Sequence, residues 1–211
     1  MNRHLIAALA AAYVAMCALP AQAADVVDEW ASVKAPAAPE VKPVTLDPKT
    51  TALLVIDMTK LICSAERYAH CPPMIPAVKK LIGEARAKGV MVVFTSTRIP
   101  NVPKSEIWPE LAPAADDSFF QGLLDKFLGT DLEKTLKEKG IQTVITLGVA
   151  AQGGVLSTGS TAAQRGFKVV MPVDAVAANE SYSEQYTLWH LSHAPFLALH
   201  TTLTKMDMIK F

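Results

Sequence analysis

The sequence predicts one α/β domain built on a mainly parallel sheet that helices cover on both faces. Two observations predict it: continuous apolar runs, and segments of helical spacing between them. Uninterrupted apolar runs alternate with segments of helical spacing along most of the 211 residues. Strands of a parallel sheet read as continuous apolar runs because helices shield both of its faces. About 188 residues remain after the predicted leader, which is enough for one domain with a sizeable core.

Each element follows from a local pattern. The run TALLVID is apolar up to a terminal carboxylate, which indicates a buried strand. Glycine residues follow the helical patterns where a helix is expected to end. In chain order we expect a strand at 51–57, a helix at 76–88, a strand at 90–98, a helix at 132–139, a strand at 141–148, a helix at 157–164, a strand at 167–175, a helix at 183–191 and an edge strand at 198–203.

The N-terminal part of the chain has two predicted segments. Residues 1–23 have a short polar start, an apolar stretch and the small-residue cleavage motif Ala21-Gln22-Ala23, which predict a cleaved secretory signal peptide. We therefore expect a periplasmic or secreted protein. Residues 24–49 are rich in Ala, Pro and Val without a period, so we expect an extended N-terminal arm. Residues 50–211 then form the α/β domain.

Composition excludes some partners. The formal net charge is zero and no basic block occurs, so nucleic acid is not expected to bind. After the leader no apolar run of membrane length remains. We expect a small-molecule ligand or substrate and no cofactor.

Cys63 and Cys71 remain after the leader is removed. An even pair in an oxidising compartment favours a disulfide that closes a short loop. Two alternatives stay open: a metal site that includes His70, and a free catalytic thiol. No second ligand pair at zinc spacing accompanies the first alternative, so no metal is expected.

The candidate site lies at the carboxyl ends of the strands, where ligands bind in such folds. Asp57 ends the first strand, and a carboxylate there suits general acid or base chemistry. Arg98 ends the second strand and suits a carboxylate ligand or a surface ion pair. Gly153 and Gly154 open the helix after the third long strand, where backbone N–H groups favour an anion. A tight turn that packs the helix on the sheet is the alternative for these two residues.

The blocks TALLVIDM, VVFTSTR and FLGTDLEKTLKEKGIQTVITLGVAAQGGVLSTGSTAAQRGFKVVMPVDAVAA resemble the isochorismatase-like hydrolase superfamily. The resemblance runs from about Thr51 to the C-terminus. It implies a three-layer α/β/α fold, a homo-oligomer and, for most members, an Asp-Lys-Cys site that attacks amide or related carbon–nitrogen bonds.

The resemblance also assigns positions in the site. It places the family Asp on Asp57, the family Cys on Gly154 and the family Lys on Gln121, with Ala150 and Gly153 as binding positions beside the missing thiol. Two of the three usual groups are then absent, which makes the site degenerate. Lys126, five residues after Gln121, substitutes for the lysine only if the loop shifts.

One branch of the superfamily hydrolyses the vinyl ether of isochorismate and commonly carries Gly at the Cys position. The resemblance implies that its Asp protonates the vinyl carbon, so that no thiol is needed. That branch keeps the Lys, and its His is replaced here by Gln152. Export also argues against isochorismate, which is made and used in the cytoplasm.

Three hypotheses remain open on the sequence. The first is a hydrolase with an altered site that works through Asp57. Without a cation nearby, we expect burial to raise the pKa of Asp57. The second is a non-catalytic relative that binds a small molecule or partner in the periplasm. The third places a nucleophile at Cys63 or Cys71.

Overall fold

The computed structural model describes residues 25–211, so the predicted leader at 1–23 lies outside the described residues. The described part of the chain divides between an N-terminal unit that ends at Ala37 and a larger unit, Ala38–Phe211. In the N-terminal unit a short 3-10 turn spans Trp30–Ser32, and the side chain of Trp30 is 67% exposed. No helix in the described part of the chain is long and apolar enough to cross a membrane.

The larger unit is built on a parallel sheet of strand order β4-β3-β2-β5-β6-β8, with the short β7 paired to the end of β5. A two-stranded parallel ladder, β1 with β9, lies beside it in the same unit. The strands are β1 (Val44–Thr45), β2 (Thr51–Ile56), β3 (Met91–Thr97), β4 (Ser118–Gly122), β5 (Thr143–Val149), β6 (Lys168–Pro172), β7 (Val176–Ala177), β8 (Thr201–Thr204) and β9 (Ile209–Lys210). The helices are α1 (Cys71–Ala87), α2 (Leu132–Glu138), α3 (Leu156–Gln164), α4 (Ser181–His193) and α5 (Leu197–His200).

Two apolar cores lie on opposite faces of this sheet. Alternate residues of β2 enter different cores: Leu53 and Val55 join the one packed with α1, while Leu54 and Ile56 join the one packed with α2 and α3. Each is fully buried, which is worth roughly 1.5–3 kcal/mol per large side chain. This burial on both faces explains the continuous apolar run and confirms the predicted three-layer α/β fold.

Several boundaries differ from the sequence-based expectation. The strand expected at 167–175 is shorter: β6 spans Lys168–Pro172, a turn follows at 173–175, and the next strand, β7, pairs with β5. The strand expected at 198–203 begins as α5 and becomes β8, at the edge of the sheet. Strand β4, at the opposite edge, was not expected.

Part of the expected N-terminal arm belongs to the domain. Val44 and Thr45 pair with β9, and the backbone N–H of Lys42 donates to the carbonyl of Leu203 at 2.9 Å. The bond from Lys42 also covers part of the backbone of the edge strand β8. An exposed arm at 24–49 is therefore not what the structure shows for its last residues.

Candidate active site

Asp57 follows β2 at the carboxyl end of the sheet. Its backbone takes a left-handed conformation, with φ of 54°, which is uncommon for a non-glycine residue. Its N–H donates to the carbonyl of Thr95 on β3 at 3.2 Å, and the hydroxyl of Thr95 donates to its Oδ1 at 3.2 Å. Asp57 is 8% exposed, so its carboxylate is largely shielded from water but not sealed from it.

Lys126 is the cation that faces this carboxylate. Its Nζ lies 2.8 Å from Asp57 Oδ2 and also donates to the carbonyl of Leu123 at 2.7 Å. The lysine is fully buried. Its stem packs against Gly122, where an added Cβ would lie 3.3 Å from Lys126 Cδ. Buried charges persist in proteins when they are paired and hydrogen-bonded, and both conditions are met here.

The environment raises the pKa of Asp57. Burial is the largest cause, while the Lys126 ammonium and the Thr95 hydroxyl act in the opposite direction. The expected direction was right, although it assumed that no cation lay nearby. Burial outweighs the cation, so the carboxyl holds its proton more tightly than an ordinary aspartate does.

Gly154 forms the wall opposite Asp57. Strand β5 ends at a cis peptide between Val149 and Ala150, and a single π-helical turn, Ala151–Val155, leads directly into α3. A Cβ on Gly154 would lie 3.4 Å from Asp57 Oδ2, so a side chain at this position would stand against the carboxylate. Glycine supplies no such group, and this turn offers Asp57 no nucleophile.

Two N–H groups of the turn are already used. Gly153 and Val155 both donate to the carbonyl of Ala150, at 3.0 and 3.2 Å. The N–H of Gly153 therefore already has a partner within the turn. A Cβ on Gly153 would lie 3.4 Å from a methyl of Leu124, whose side chain is 64% exposed. The outer rim of the site is thus apolar at this point.

Gln121 does not stand beside Asp57. Its Nε2 donates to Asn101 Oδ1 and to the carbonyl of Val102, both at 2.8 Å. The assignment of the family Lys position to Gln121 is therefore corrected, because the loop after β4 brings Lys126 to the carboxylate. With Lys126 in place, the Asp–Lys part of the site is complete.

Arg98 and Gln152 have other neighbours. Arg98 is exposed, and its Nη1 is 4.0 Å from the place that a Cβ on Gly129 would occupy. Gln152 donates through Nε2 to Asn179 Oδ1 at 3.1 Å, while its Oε1 is buried without a partner in the described part of the chain. Neither residue contacts Asp57 through a hydrogen bond that the structure records.

Cys63 and Cys71 are joined by a disulfide with Cα atoms 5.4 Å apart, and both residues are fully buried. A bonded pair offers no thiolate, which removes the hypothesis of a free nucleophile at either position. Residues 25–211 contain no group of three or more His, Cys, Asp or Glu side chains placed to hold a metal ion. Asp57 and Lys126 are therefore the chemistry-bearing groups of the site.

Two residues of the site had only weak signals in the sequence. Lys126 lies in a short segment without a clear period, so its placement depends on how the loop turns. Thr95 reads as one more residue of a buried strand, and only its pairing next to β2 shows that its hydroxyl reaches Asp57.

Comparison with known proteins identifies the family of the chain. The sequence matches the Isochorismatase domain over residues 51–203. It is 26% identical to the isochorismatase family protein YwoC of Bacillus subtilis (strain 168), over 68% of this chain and 86% of that protein. It is also 26% identical to an N-carbamoylsarcosine amidase of Arthrobacter sp, over 67% of this chain and 65% of the amidase.

Among solved structures, an isochorismatase-like hydrolase from Alkaliphilus metalliredigens superposes with a TM-score of 0.67 at 28% identity, covering 75% of this chain and 95% of that structure. The residues matched by the Isochorismatase domain, 51–203, include the strand before Asp57, the Lys126 loop and the Gly154 turn. The chain belongs to the isochorismatase family of hydrolases and related proteins.

Proposed function

We propose that this protein hydrolyses a small molecule by proton transfer at Asp57, without a covalent enzyme intermediate. The observation that carries the proposal is the buried contact of 2.8 Å between Lys126 Nζ and Asp57 Oδ2. It lies beside Gly154, where the superfamily commonly carries a thiol. The site therefore keeps its acid–base pair and lacks its nucleophile.

The pair supports function because it is a poor device for stability. Replacing a buried ion pair by apolar residues of similar volume is often neutral or stabilising, by about 1–4 kcal/mol. A carboxyl with a raised pKa at the carboxyl end of a parallel strand is typical of a catalytic group. The left-handed backbone of Asp57 is a second local cost borne at the same residue.

An enol ether is the substrate class that fits these groups best, because its hydrolysis begins with protonation of carbon and needs no enzyme nucleophile. The Asp57 proton bonds to the terminal vinyl carbon, and the electron pair of the double bond forms that new C–H bond. Water then adds to the resulting oxocarbenium carbon and returns a proton to Asp57. The hemiketal collapses to a carbonyl compound and an alcohol.

Lys126 has a defined part in this sequence. When Asp57 gives up its proton, the ammonium faces the carboxylate that forms and stabilises it. The raised pKa keeps a larger share of Asp57 protonated than in an ordinary aspartate, and so ready to donate. The two effects together favour transfer of the proton in both directions.

Turnover of a compound panel tests the proposal. The panel contains carboxyvinyl ethers, N-carbamoyl amino acids and simple amides, the last two because an amidase is among the relatives. We expect Asp57→Asn to lower turnover by about 10²–10⁴-fold, the usual contribution of a general acid or base. The matched control is Asp174→Asn, an exposed carboxylate whose Oδ1 accepts only the N–H of Met206.

Turnover that is equal in the wild type and in Asp57→Asn would refute the proton-transfer mechanism. Hydrolysis of the amides but not of the enol ethers, still dependent on Asp57, would replace the substrate class and keep the mechanism. A covalent adduct in the intact-protein mass during turnover would contradict the absence of an enzyme-bound intermediate.

A second function is favoured by Gly154 itself. A site without a nucleophile also suits a relative that binds a small molecule and does not convert it. In that case a panel compound raises the melting temperature by mass action and is recovered unchanged. Consumption of that compound would exclude the binding role.

The setting of the protein is also part of the proposal. We propose that the chain is exported through its leader and works as a homo-oligomer in the periplasm or outside the cell. The leader pattern and the disulfide both support an oxidising compartment.

A further inference from the structure

The loop that carries Lys126 is hydrogen-bonded to helix α3. Thr158, in the first turn of α3, is fully buried, and its hydroxyl oxygen accepts the backbone N–H of Lys126 at 3.2 Å. The same hydroxyl donates to the carbonyl of Leu124, a longer contact of 3.4 Å. One buried side chain therefore binds the backbone on both sides of Asp125.

A second bond joins the same loop to the next turn of the helix. Thr161 Oγ1 donates to Asp125 Oδ2 at 2.9 Å, and Asp125 Oδ1 accepts the N–H of Phe127 at 2.9 Å. Asp125 thus holds the backbone that immediately follows Lys126 and attaches it to α3. Together, Thr158 and Thr161 fix the residues on either side of the lysine.

Helix α3 also positions the other wall of the site. It continues without a break from the turn that contains Gly154, and Thr158 follows Gly154 by four residues. Residues four apart lie on one face of a helix, so the hydroxyl that holds Lys126 lies one turn beyond the wall that faces Asp57. The lysine loop and the Gly154 turn are therefore both attached to helix α3.

We propose that Thr158 is a positioning residue that fixes the backbone of Lys126, so that the ammonium stays against Asp57 throughout proton transfer. This role rests on the function proposed above for the Asp57–Lys126 pair. A lysine side chain has many rotamers, so an ammonium that is not held in place can leave the carboxylate. Anchoring its backbone is one way to restrict where its ammonium can lie, and packing of the stem on Gly122 is the other.

The titration of Asp57 tests this role without any substrate. The Asp57 carboxyl carbon is followed by NMR in the full mature chain and assigned by its absence in Asp57→Asn. Thr158→Val keeps the volume and removes the hydroxyl. We expect it to raise the titration midpoint by about one unit, a tenfold change in proton affinity, because a displaced ammonium no longer lowers the pKa.

Two further variants separate positioning from general stability. Thr158→Ser restores the hydroxyl and should restore the midpoint. Thr187→Val is the matched control: Thr187 is also fully buried, and its hydroxyl donates to the carbonyl of Ser183 within α4. We expect it to lower the melting temperature and to leave the Asp57 midpoint unchanged.

The proposal is overturned if Thr158→Val leaves the Asp57 midpoint at its wild-type position, or moves it no more than Thr187→Val does. If Thr158→Val does not fold, Thr158→Ala removes the same hydroxyl with a smaller side chain. The same upward shift is expected there, and no shift would overturn the proposal. A shift that persists while Asp57→Asn retains full turnover would refute the proposed function and leave the positioning of Lys126 intact.

Discussion

Replacing Lys126 by Met is the perturbation that most directly exposes the energetics of the site. Methionine fills a similar apolar volume but removes the ammonium from Asp57 Oδ2 and from the carbonyl of Leu123. Breaking a buried pair by removing one partner costs about 3–5 kcal/mol, since the other charge is left buried. We therefore expect a large loss of unfolding free energy at neutral pH.

The loss should depend on pH in a defined direction. The folded pKa of Asp57 is already above its ordinary value of about 4, and losing the ammonium raises it further. A carboxyl whose folded pKa is raised contributes stability below its unfolded pKa and loses it as the pH rises through the folded pKa. An opposite charge shifts the pKa of a carboxyl by about 1–3 units. At a pH above both pKa values, losing it therefore lowers the unfolding free energy of the variant by roughly 1.4–4 kcal/mol.

Below about pH 4 the carboxyl is protonated in the folded and unfolded chains alike, and this part of the penalty vanishes. What remains there is the unpaired carbonyl of Leu123 and the altered packing, of about 1–3 kcal/mol. The difference between variant and wild type should thus grow from acidic to neutral pH.

Denaturant unfolding of the disulfide-bonded protein measures the effect at a series of pH values between about 3 and 8. The matched control is Lys80→Met, which removes an exposed i,i+4 pair with Glu84 at 3.8 Å. Exposed pairs of this kind contribute about 0.3–0.5 kcal/mol. A Lys126→Met penalty that is as small as the control, or equal at every pH, would refute the reasoning.

Three other changes have defined outcomes. Gly154→Ala places a methyl 3.1 Å from Ile56 Cγ2 and 3.4 Å from Asp57 Oδ2. It should lower turnover by crowding the carboxylate and cost about 1–3 kcal/mol in denaturant unfolding. Unchanged turnover would show that the reaction does not use this space. Replacing Cys63 and Cys71 by Ser removes a disulfide between residues eight apart in the sequence and should cost roughly 2–3 kcal/mol in denaturant unfolding; an unchanged unfolding free energy would contradict a stabilising disulfide. N-terminal sequencing of the exported protein should begin just after Ala23 or at the next residue, and a retained Met1 would argue against cleavage.

The long strands were predictable because their signal is strong. In β2 every residue is buried, and in β5 likewise, so hydrophobic burial alone produces the apolar runs at 51–56 and 143–149. Strand β4 was not predictable in this way, since four of its five residues are only half-buried at the sheet edge. Its backbone pairing with β3, rather than its side chains, makes it a strand.

The candidate site was only partly predictable from the sequence. Asp57 and Gly154 adjoin long buried strands, and their positions follow from the rule that ligands meet the carboxyl ends of a parallel sheet. Lys126 follows β4 and a non-helical loop, so counting from a motif placed Gln121 there instead. Which residue reaches the carboxylate is decided by tertiary bonds, such as that between Thr158 and the Lys126 N–H, which no local pattern encodes.

The pH dependence of kcat/KM tests the central claim most directly, because it reports the ionisation of the free enzyme's essential groups. It is to be measured on the best substrate of the panel, for the wild type and for Lys126→Met. If protonated Asp57 donates the proton beside Lys126, the activity falls as the pH rises through the Asp57 pKa, and the variant shows this fall at higher pH. A fall at the same pH in both proteins, or none at all, would contradict the account.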